Sequence, residues 1–359
     1  MLLSDWMIYG ANGYTGALVA EEAAARGARP ILAGRSEGAI APLAARLGCD
    51  HRIFDLDDAG AAARHLDGAR AVLLCAGPFS RTSRPMVDAC LARGVHYLDI
   101  TGEIPVFEAV HARTGEATRA GVVLLPGVGF DVVPSDCLAA TLAAALPGAS
   151  ELALAFSGGS PSAGTAKTML EGLPRGGAAR RGGRIVRVPV AWKTADIPFA
   201  DRTRPAVTIP WGDVATAFHS TGIPDIETYV AQPRRAIRAL RLARPFFPLL
   251  GLRPVQRLAA RAIEKRVAGP DAEARERGRS QLWGRVRDPA GNEVQGTATV
   301  PEGYRFTVLS ALASVERLLA GGVAPRAHTP STAFGADFVT TIEGCTLRVG
   351  EPTRASSAA

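Results

Sequence analysis

The chain is 359 residues long, 47% apolar but only 6% aromatic, and its 41 Lys and Arg against 34 Asp and Glu give a formal net charge of +7. That length exceeds one small core and points to two domains, or to one with a large insertion, while no apolar run approaches the roughly 18 residues of a spanning helix. Five cysteines, Cys49, Cys75, Cys90, Cys137 and Cys345, form no CxxC pair and are odd in number, which suits a reducing cytoplasm better than a disulfide framework. The opening "MLLSDWMIYG" lacks the basic flank of a cleaved signal.

The first 150 residues alternate short apolar runs with helical patterns, as βαβ units do. Strands are predicted at 6–9, 30–33, 51–54, 71–75, 96–100 and 122–125, and helices near 14–27, 37–47, 58–66, 83–93, 105–120 and 135–145. Right-handed crossovers then give a Rossmann doubly wound parallel sheet of order 3-2-1-4-5-6. From 151 the rhythm changes. "ELALAFSGG", "RIVRVPVAW", "SQLWGRVRD" and "EVQGTATV" alternate like half-exposed strands, and "DPAGN" reads as the hairpin turn between the last two. The expected organisation is a Rossmann domain over 1–150 and a second α+β domain of mixed sheet and helices over 151–328. A helix over 329–342 and a strand, within 329–350, would pack back on the first domain, before a disordered tail over 351–359.

Between the first strand and the first helix stands "GANGYTG". Gly10 permits a tight turn, Gly13 lets backbone N–H groups approach a pyrophosphate, and Gly16 allows close helix-to-strand packing. Nineteen residues after Gly16 comes "AGRS", with Arg35 and Ser36 where an acid would bind the ribose 2′-OH of NAD. A cation and a hydroxyl fit a 2′-phosphate, so NADP(H) is favoured; the alternative is a solvated Arg and a helix-capping Ser. Asp55 and Asp57 follow the third strand, where either could accept from an adenine amino group, and Asp57 could instead cap the next helix. "CAGPF" (75–79), "YLDITGE" (97–103) and "PGVGFDVVPSD" (126–136) end three neighbouring strands, where ligands sit in open α/β sheets. Tyr97, Asp99, Glu103 and Asp131 are the proton carriers these strand ends place best, and each has a structural alternative as a core, capping or bracing group.

The charge is concentrated. Residues 234–266 hold ten basic side chains and one acid, a local +9 that leaves the rest at −2, so no basic surface for nucleic acid extends across the chain. Arg253, Arg257, Arg261 and Lys265 form one helical stripe with Val255, Leu258, Ala262 and Ile263 roughly opposite, after the Pro-broken run "RPFFPLLGL". Such a segment suits an anionic membrane surface or an acyl carrier, or is a core-facing helix with a solvated basic face. Other chemistries find no support. No Tyr has Lys four residues later, the six histidines make no HExxH or zinc spacing, and there is no Gly-x-Ser-x-Gly elbow or Walker loop. Cys75 has nothing near it in sequence to lower its pKa.

Taken together, "GANGYTG", "AGR", "CAGPF", "YLDITGE" and "PGVGFDVVPSD", with "GGSPSAGTAKTMLEGL", "IPWGDVATAFHSTGIPDIETY" and "PEGYRFTVLSAL" further on, resemble the saccharopine dehydrogenase-like family, in its trans-acting enoyl reductase branch. The resemblance implies an NADP-binding domain and a second domain that closes the cleft and offers a sheet surface for a homodimer. It also implies reduction of a small or lipid-linked substrate. It puts the pyrophosphate loop on Gly10, Asn12, Gly13, Tyr14, Thr15 and Gly16, the 2′-phosphate contact on Arg35 and Ser36, and the nicotinamide side on Ala76, Gly77, Pro78, Tyr97, Asp99, Gly102 and Phe130. The leading expectation is a cytoplasmic NADPH-dependent reductase of an apolar enoyl or keto group. An amino-acid imine reductase, which would use Arg175, Arg180, Arg181 and Arg184 as carboxylate anchors, is the rival. A non-catalytic NADP-binding protein at a membrane is the third reading.

Overall fold

The computed structural model describes residues 5–354 except 58, 159–163, 165, 167–169, 171 and 267–268. Two compact units divide them: one runs to Val133 and resumes over Tyr304–Phe338, the other takes Pro134–Gly303 and the chain from Val339 onward.

In the first unit six strands, β1 (Trp6–Tyr9), β2 (Ile31–Gly34), β3 (His51–Ile53), β4 (Ala71–Leu74), β5 (His96–Asp99) and β6 (Leu124–Leu125), form one sheet of order β3-β2-β1-β4-β5-β6. Every pairing is parallel. All four residues of β1 and of β4 are buried, as expected of central strands covered by helices on both faces. The crossovers are α1 (Tyr14–Ala25), α2 (Glu37–Leu47), α3 (Ala59–Arg64) and α4 (Phe79–Arg93), then α5 (Ile104–His111) and α6 (Thr114–Ala120). The last two replace the single helix expected over 105–120. The break falls at Arg113, whose guanidinium pairs with Asp88 and Glu116 and so holds the turn.

Helix Gly303–Leu319, nearly all of whose side chains from Phe306 are buried, supports this unit from beyond its first 133 residues. Ser310 Oγ donates to Val128 O at 2.7 Å, and Thr307 Oγ1 accepts from Phe130 N at 3.0 Å. Residues 326–328 run beside β6, with Leu124 N bonded to Arg326 O and His328 N to Leu124 O. Thr329 then caps helix Pro330–Phe334 through a capping box. The expected helix over 329–342 stops there because Gly335, at φ +99°, ends it; a 3-10 turn follows at Phe338–Thr341.

In the second unit the described residues form a mixed sheet of nine strands. Its main path is β10 (Thr194–Pro198), β11 (Thr203–Thr208), β12 (Asp225–Ala231), β7 (Glu151–Ser157), β13 (Arg279–Arg287), β14 (Glu293–Pro301) and β15 (Thr346–Val349), with the hairpin β8 (Gly177–Arg181) and β9 (Arg184–Val188) joined through β12. Among the described residues, only β7 and β12 of this sheet pair in parallel. The β13–β14 hairpin turns at Asp288–Asn292 as the sequence predicts, with the Asp288 carboxylate accepting from Asn292 N at 2.8 Å.

Two expected boundaries move. Helix α7 (Val133–Ala145) belongs to the second unit from Pro134 onward, not to a domain ending at 150. Its Leu138 and Leu142 lie on Gly284 and Gly296, which are cross-strand partners; a Cβ on Gly284 would come within 2.6 Å of Leu142 Cδ1. Two opposed glycines thus make the flat seat that fixes where this apolar helix packs. The C-terminal strand β15, expected on the first domain, extends the second sheet beside β14 instead, since its four alternating residues suit any open edge. Of the expected tail, Thr353 is bonded to Glu293 in both directions, and residues 355–359 lie outside the described residues.

The loops at the carboxyl ends of β5 and β6 are held by one group. Asp99, fully buried, accepts from Tyr97 Oη at 2.5 Å, Thr101 N at 3.0 Å and Gly127 N at 2.8 Å. Burial outweighs these donors and raises its pKa to about 6. Asp99→Asn keeps an oxygen for the two backbone N–H groups but puts an amide N–H in place of the oxygen that accepts from Tyr97, so it is expected to lower the stability of the protein by about 1–3 kcal/mol in urea unfolding. Tyr97→Phe, which removes one donor, should cost less. Equal stability of Asp99→Asn and wild type would show that the carboxylate does not brace these loops.

Candidate NADP(H) site

The site begins where β1 turns into α1. Gly10 takes φ +84°, a left-handed conformation that side chains resist. Its N–H bonds to Ala33 O at 2.8 Å, locking the turn to the neighbouring strand. A Cβ there would meet Ala76, past the end of β4, at 2.8 Å, and one on Gly16 would meet Gly10 O at 2.3 Å. Backbone therefore passes backbone with no room for side chains. Helix α1 begins after Gly13, which has no side chain to cap it, and no acid occupies its first turn. No side chain or acid of its own therefore competes with an anion for the positive end of its dipole.

Beside this turn lies a cavity of about 430 Å³. Its floor is Gly10, Asn12 and Gly13 from the first loop and Cys75, Ala76 and Gly77 from the loop after β4; Gly34, Arg35 and Ser36 after β2, Asp55 after β3, and Tyr9 complete it. Arg35 is exposed and its guanidinium stands 3.9 Å from the Asp55 carboxylate. A pair this open and this long contributes little and leaves the cation available. Ser36 occupies the N-cap position of α2 but makes no capping bond with its side chain, so the capping alternative does not use its hydroxyl. The Tyr9 phenol donates to Phe54 O at 3.0 Å, and burial, with Asp55 beside it, pushes its pKa to about 12. Burial likewise raises the Cys75 thiol to about 12, so it stays protonated and is no nucleophile at neutral pH.

Eight of the sequence candidates for cofactor contact line this cavity: Gly10, Asn12, Gly13, Arg35, Ser36, Asp55, Ala76 and Gly77. Tyr14, Thr15, Gly16, Pro78, Gly102 and Phe130 are not among its lining residues. Gly16 acts through the close packing above, and Tyr14 stacks edge-on against Tyr304 at 5.0 Å. Phe130 meets Phe306 edge-on at 6.3 Å. Gly34, the small residue of "AGRS", lines the cavity with Arg35 and Ser36, whereas Tyr9 and Cys75 were not picked out by the sequence as cofactor contacts, although each ends its strand or directly follows it.

The proton-carrier candidates separate. Tyr97 and Asp99 are wholly buried and bonded to each other, which makes them braces rather than groups open to a substrate. Glu103 accepts from Phe79 N at 2.8 Å and Ser80 N at 3.1 Å, capping α4 from the β5 loop. Asp131 differs. It is half-buried in the loop after β6, and its carboxylate presses on Gly102, where a Cβ would come within 2.5 Å of Oδ2. Burial raises its pKa to about 7, so it holds a proton near neutrality.

In the second unit the arginines proposed as carboxylate anchors are engaged elsewhere. Arg180 is buried, donating to Val214 O and Gly183 O at 2.8 Å each and lying over the Phe218 ring. Arg181 shares the Glu227 carboxylate with Lys193. Arg184 is exposed on β9, and the side chain of Arg175 lies outside the described residues.

Comparisons with known proteins agree with this geometry. Residues 6–125 match the family described as Saccharopine dehydrogenase NADP binding domain. A Mycobacterium tuberculosis protein whose name places it provisionally among the trans-acting enoyl reductases is 36% identical over 190 residues, which is 47% of this chain and 44% of that protein. The trans-acting enoyl reductase of Mycobacterium leprae is 34% identical over 142 residues, 37% of this chain and 34% of that one. The chain thus spans less than half the length of these curated relatives. In fold, it is similar to saccharopine dehydrogenase (L-Glu forming) from Saccharomyces cerevisiae, with a TM-score of 0.64 at 11% identity over 97% of this chain and 99% of that one. By sequence and fold, then, the chain is similar to the saccharopine dehydrogenases and their enoyl reductase relatives, and its first unit is an NADP(H)-binding domain.

Proposed function

We propose that the protein is an NADPH-dependent reductase of an enoyl or keto group on an apolar, lipid- or carrier-linked acyl substrate. The observation that supports this most is the cavity at the β1–β4 crevice, with a side-chain-free backbone cradle at one end and Arg35 and Ser36 at the other. In this reading the α1 N-terminus and Gly13 hold the pyrophosphate, and Arg35 and Ser36 hold the 2′-phosphate. When bound, NADPH supplies the hydride. Asp131 then gives the proton that the reduced carbon or oxygen needs, its carboxyl being protonated below about pH 7. The names of the mycobacterial relatives favour an enoyl substrate. An amino-acid substrate is the weaker reading, because Arg180 and Arg181 are already satisfied by carbonyls and by Glu227.

Arg35→Ala is expected to weaken NADPH binding by about 10–100-fold in calorimetry and to change NADH binding by less than about threefold. Loss of both affinities together, or of neither, would refute the 2′-phosphate assignment. With a panel of enoyl and β-ketoacyl thioesters, the wild-type rate should fall as pH rises through about 7, as the acid loses its proton. Asp131→Asn should lower kcat by about 10²–10⁴-fold while NADPH affinity holds. An Asp131→Asn variant that keeps full activity rules that residue out as the proton donor, and NADPH oxidation by imino acids but by no thioester would overturn the acyl reading.

A further inference from the structure

Helix Arg234–Leu242, the 3-10 turn Arg244–Gly251 and helix Arg253–Arg266 follow one another in the second unit. Among the described residues, all the large apolar side chains that stand exposed fall on this segment: Leu242, Phe246, Leu249, Leu252 and Leu258, each between 54% and 78% exposed. Scattered single exposed leucines are ordinary; a run of them on consecutive elements is not. The segment is not loosely attached. Ile237 is buried, Arg234 bonds both oxygens of Asp196, Arg241 donates to Ala191 O at 3.2 Å, and Arg244 donates to Val190 O at 2.5 Å. These contacts fix its base and leave its apolar side chains in water.

Of the basic stripe expected on helix Arg253–Arg266, the side chains of Arg253, Arg257 and Lys265 lie outside the described residues. Val255 and Ile263 are half-buried, but Leu258 and Ala262 are exposed, as is Arg261. Leu258, Arg261 and Ala262 are therefore all exposed on the same stretch of helix. Arg235 and Arg238 are also exposed, and none of these three cations pairs with an acid among the described residues. Glu264 is the only acid in the whole of 234–266, against ten basic residues.

We infer that residues 234–266 dock the protein onto an anionic lipid bilayer surface, with Phe246 and Leu258 entering the headgroup region and Arg235, Arg238 and Arg261 meeting lipid phosphates. Mixed apolar and basic side chains on one exposed segment are what an interfacial anchor needs, the first for burial among acyl chains and the second for attraction to anionic lipid. No helix among the described residues is long and apolar enough to cross a membrane, so the contact is with the surface. A second copy of this chain is a poorer occupant, because a two-fold interface would set one +9 segment against another. The inference uses residues separate from the cofactor cavity and stands or falls independently of the proposed reaction.

Flotation of the full-length protein with vesicles tests it. Vesicles of phosphatidylcholine with about one-third phosphatidylglycerol should carry the protein, pure phosphatidylcholine should not, and raising salt to about 0.5 M should release at least about fivefold of it. The pair Phe246→Ser and Leu258→Ser, and separately the pair Arg235→Glu and Arg238→Glu, should each weaken binding by about tenfold or more. Circular dichroism and NADPH affinity should be unchanged in both, since the altered side chains are exposed. Equal flotation with neutral vesicles, no flotation with either, or undiminished flotation of the variants would overturn the inference. So would failure to float combined with a dimer, or with capture of an acidic acyl carrier protein, that the Phe246→Ser and Leu258→Ser pair abolishes.

Discussion

The first unit is organised around a contact between two stretches of backbone. Gly10, leaving β1, passes Ala76, leaving β4, so closely that a single added carbon would meet Ala76 at 2.8 Å, and Gly16 sits on Gly10 O with even less room. These strands are neighbours in the middle of the sheet, where the order β3-β2-β1 gives way to β4-β5-β6 and the crossovers leave to opposite sides. The crevice opens at that switch, and the glycines let α1 start within reach of it. A side chain at either position would push α1 away and turn its N-terminus from the cavity. Arg35, Ser36 and Asp55 gain meaning only because this approach puts them at the rim of the same space.

A second level of order comes from buried polar groups that hold loops without facing a ligand. Asp99 ties the β5 end to the β6 loop, Glu103 ties the β5 loop to α4, and Ser310 and Thr307 tie the β6 loop to helix Gly303–Leu319. Asp131 stands at the end of this chain of supports, with a carboxyl that burial alone lifts to about 7. Two aspartates thus share an environment of raised pKa and differ in exposure: Asp99 is enclosed by its donors, and Asp131 is only half-buried.

Much of the first unit is legible in the sequence because parallel strands buried on both faces appear as short continuous apolar runs, as "WMIY" and "AVLL" do. The strand order then follows from crossover handedness. The second sheet is harder. Strands β10 and β11 each contain proline and exposed residues, and β8 is a five-residue strand with two arginines, so neither period nor propensity marks them. The paired glycines at 182–183, both at positive φ, were the available signal for the β8–β9 hairpin. The assignment of α7 turned on register, since Gly284 faces Gly296 only once the β13–β14 pairing is known. In the site, "GANGYTG" and "AGRS" were legible by spacing, whereas Tyr9 and Cys75 stand at strand ends in ways that sequence does not separate from core. Tyr97 and Asp99 carried the right chemistry for proton transfer but serve each other.

Hydrogen–deuterium exchange of the full-length protein with and without NADPH tests the central claim most directly, because it reports on backbone amides rather than on affinity. Added NADPH should slow exchange at Gly13 to Gly16 and around Arg35 and Ser36, with smaller changes at Ala76 and Gly77 and none in the second sheet around Gly284 and Gly296. Saturation by NADPH that leaves the amides of Gly13 to Gly16 unprotected would contradict the account.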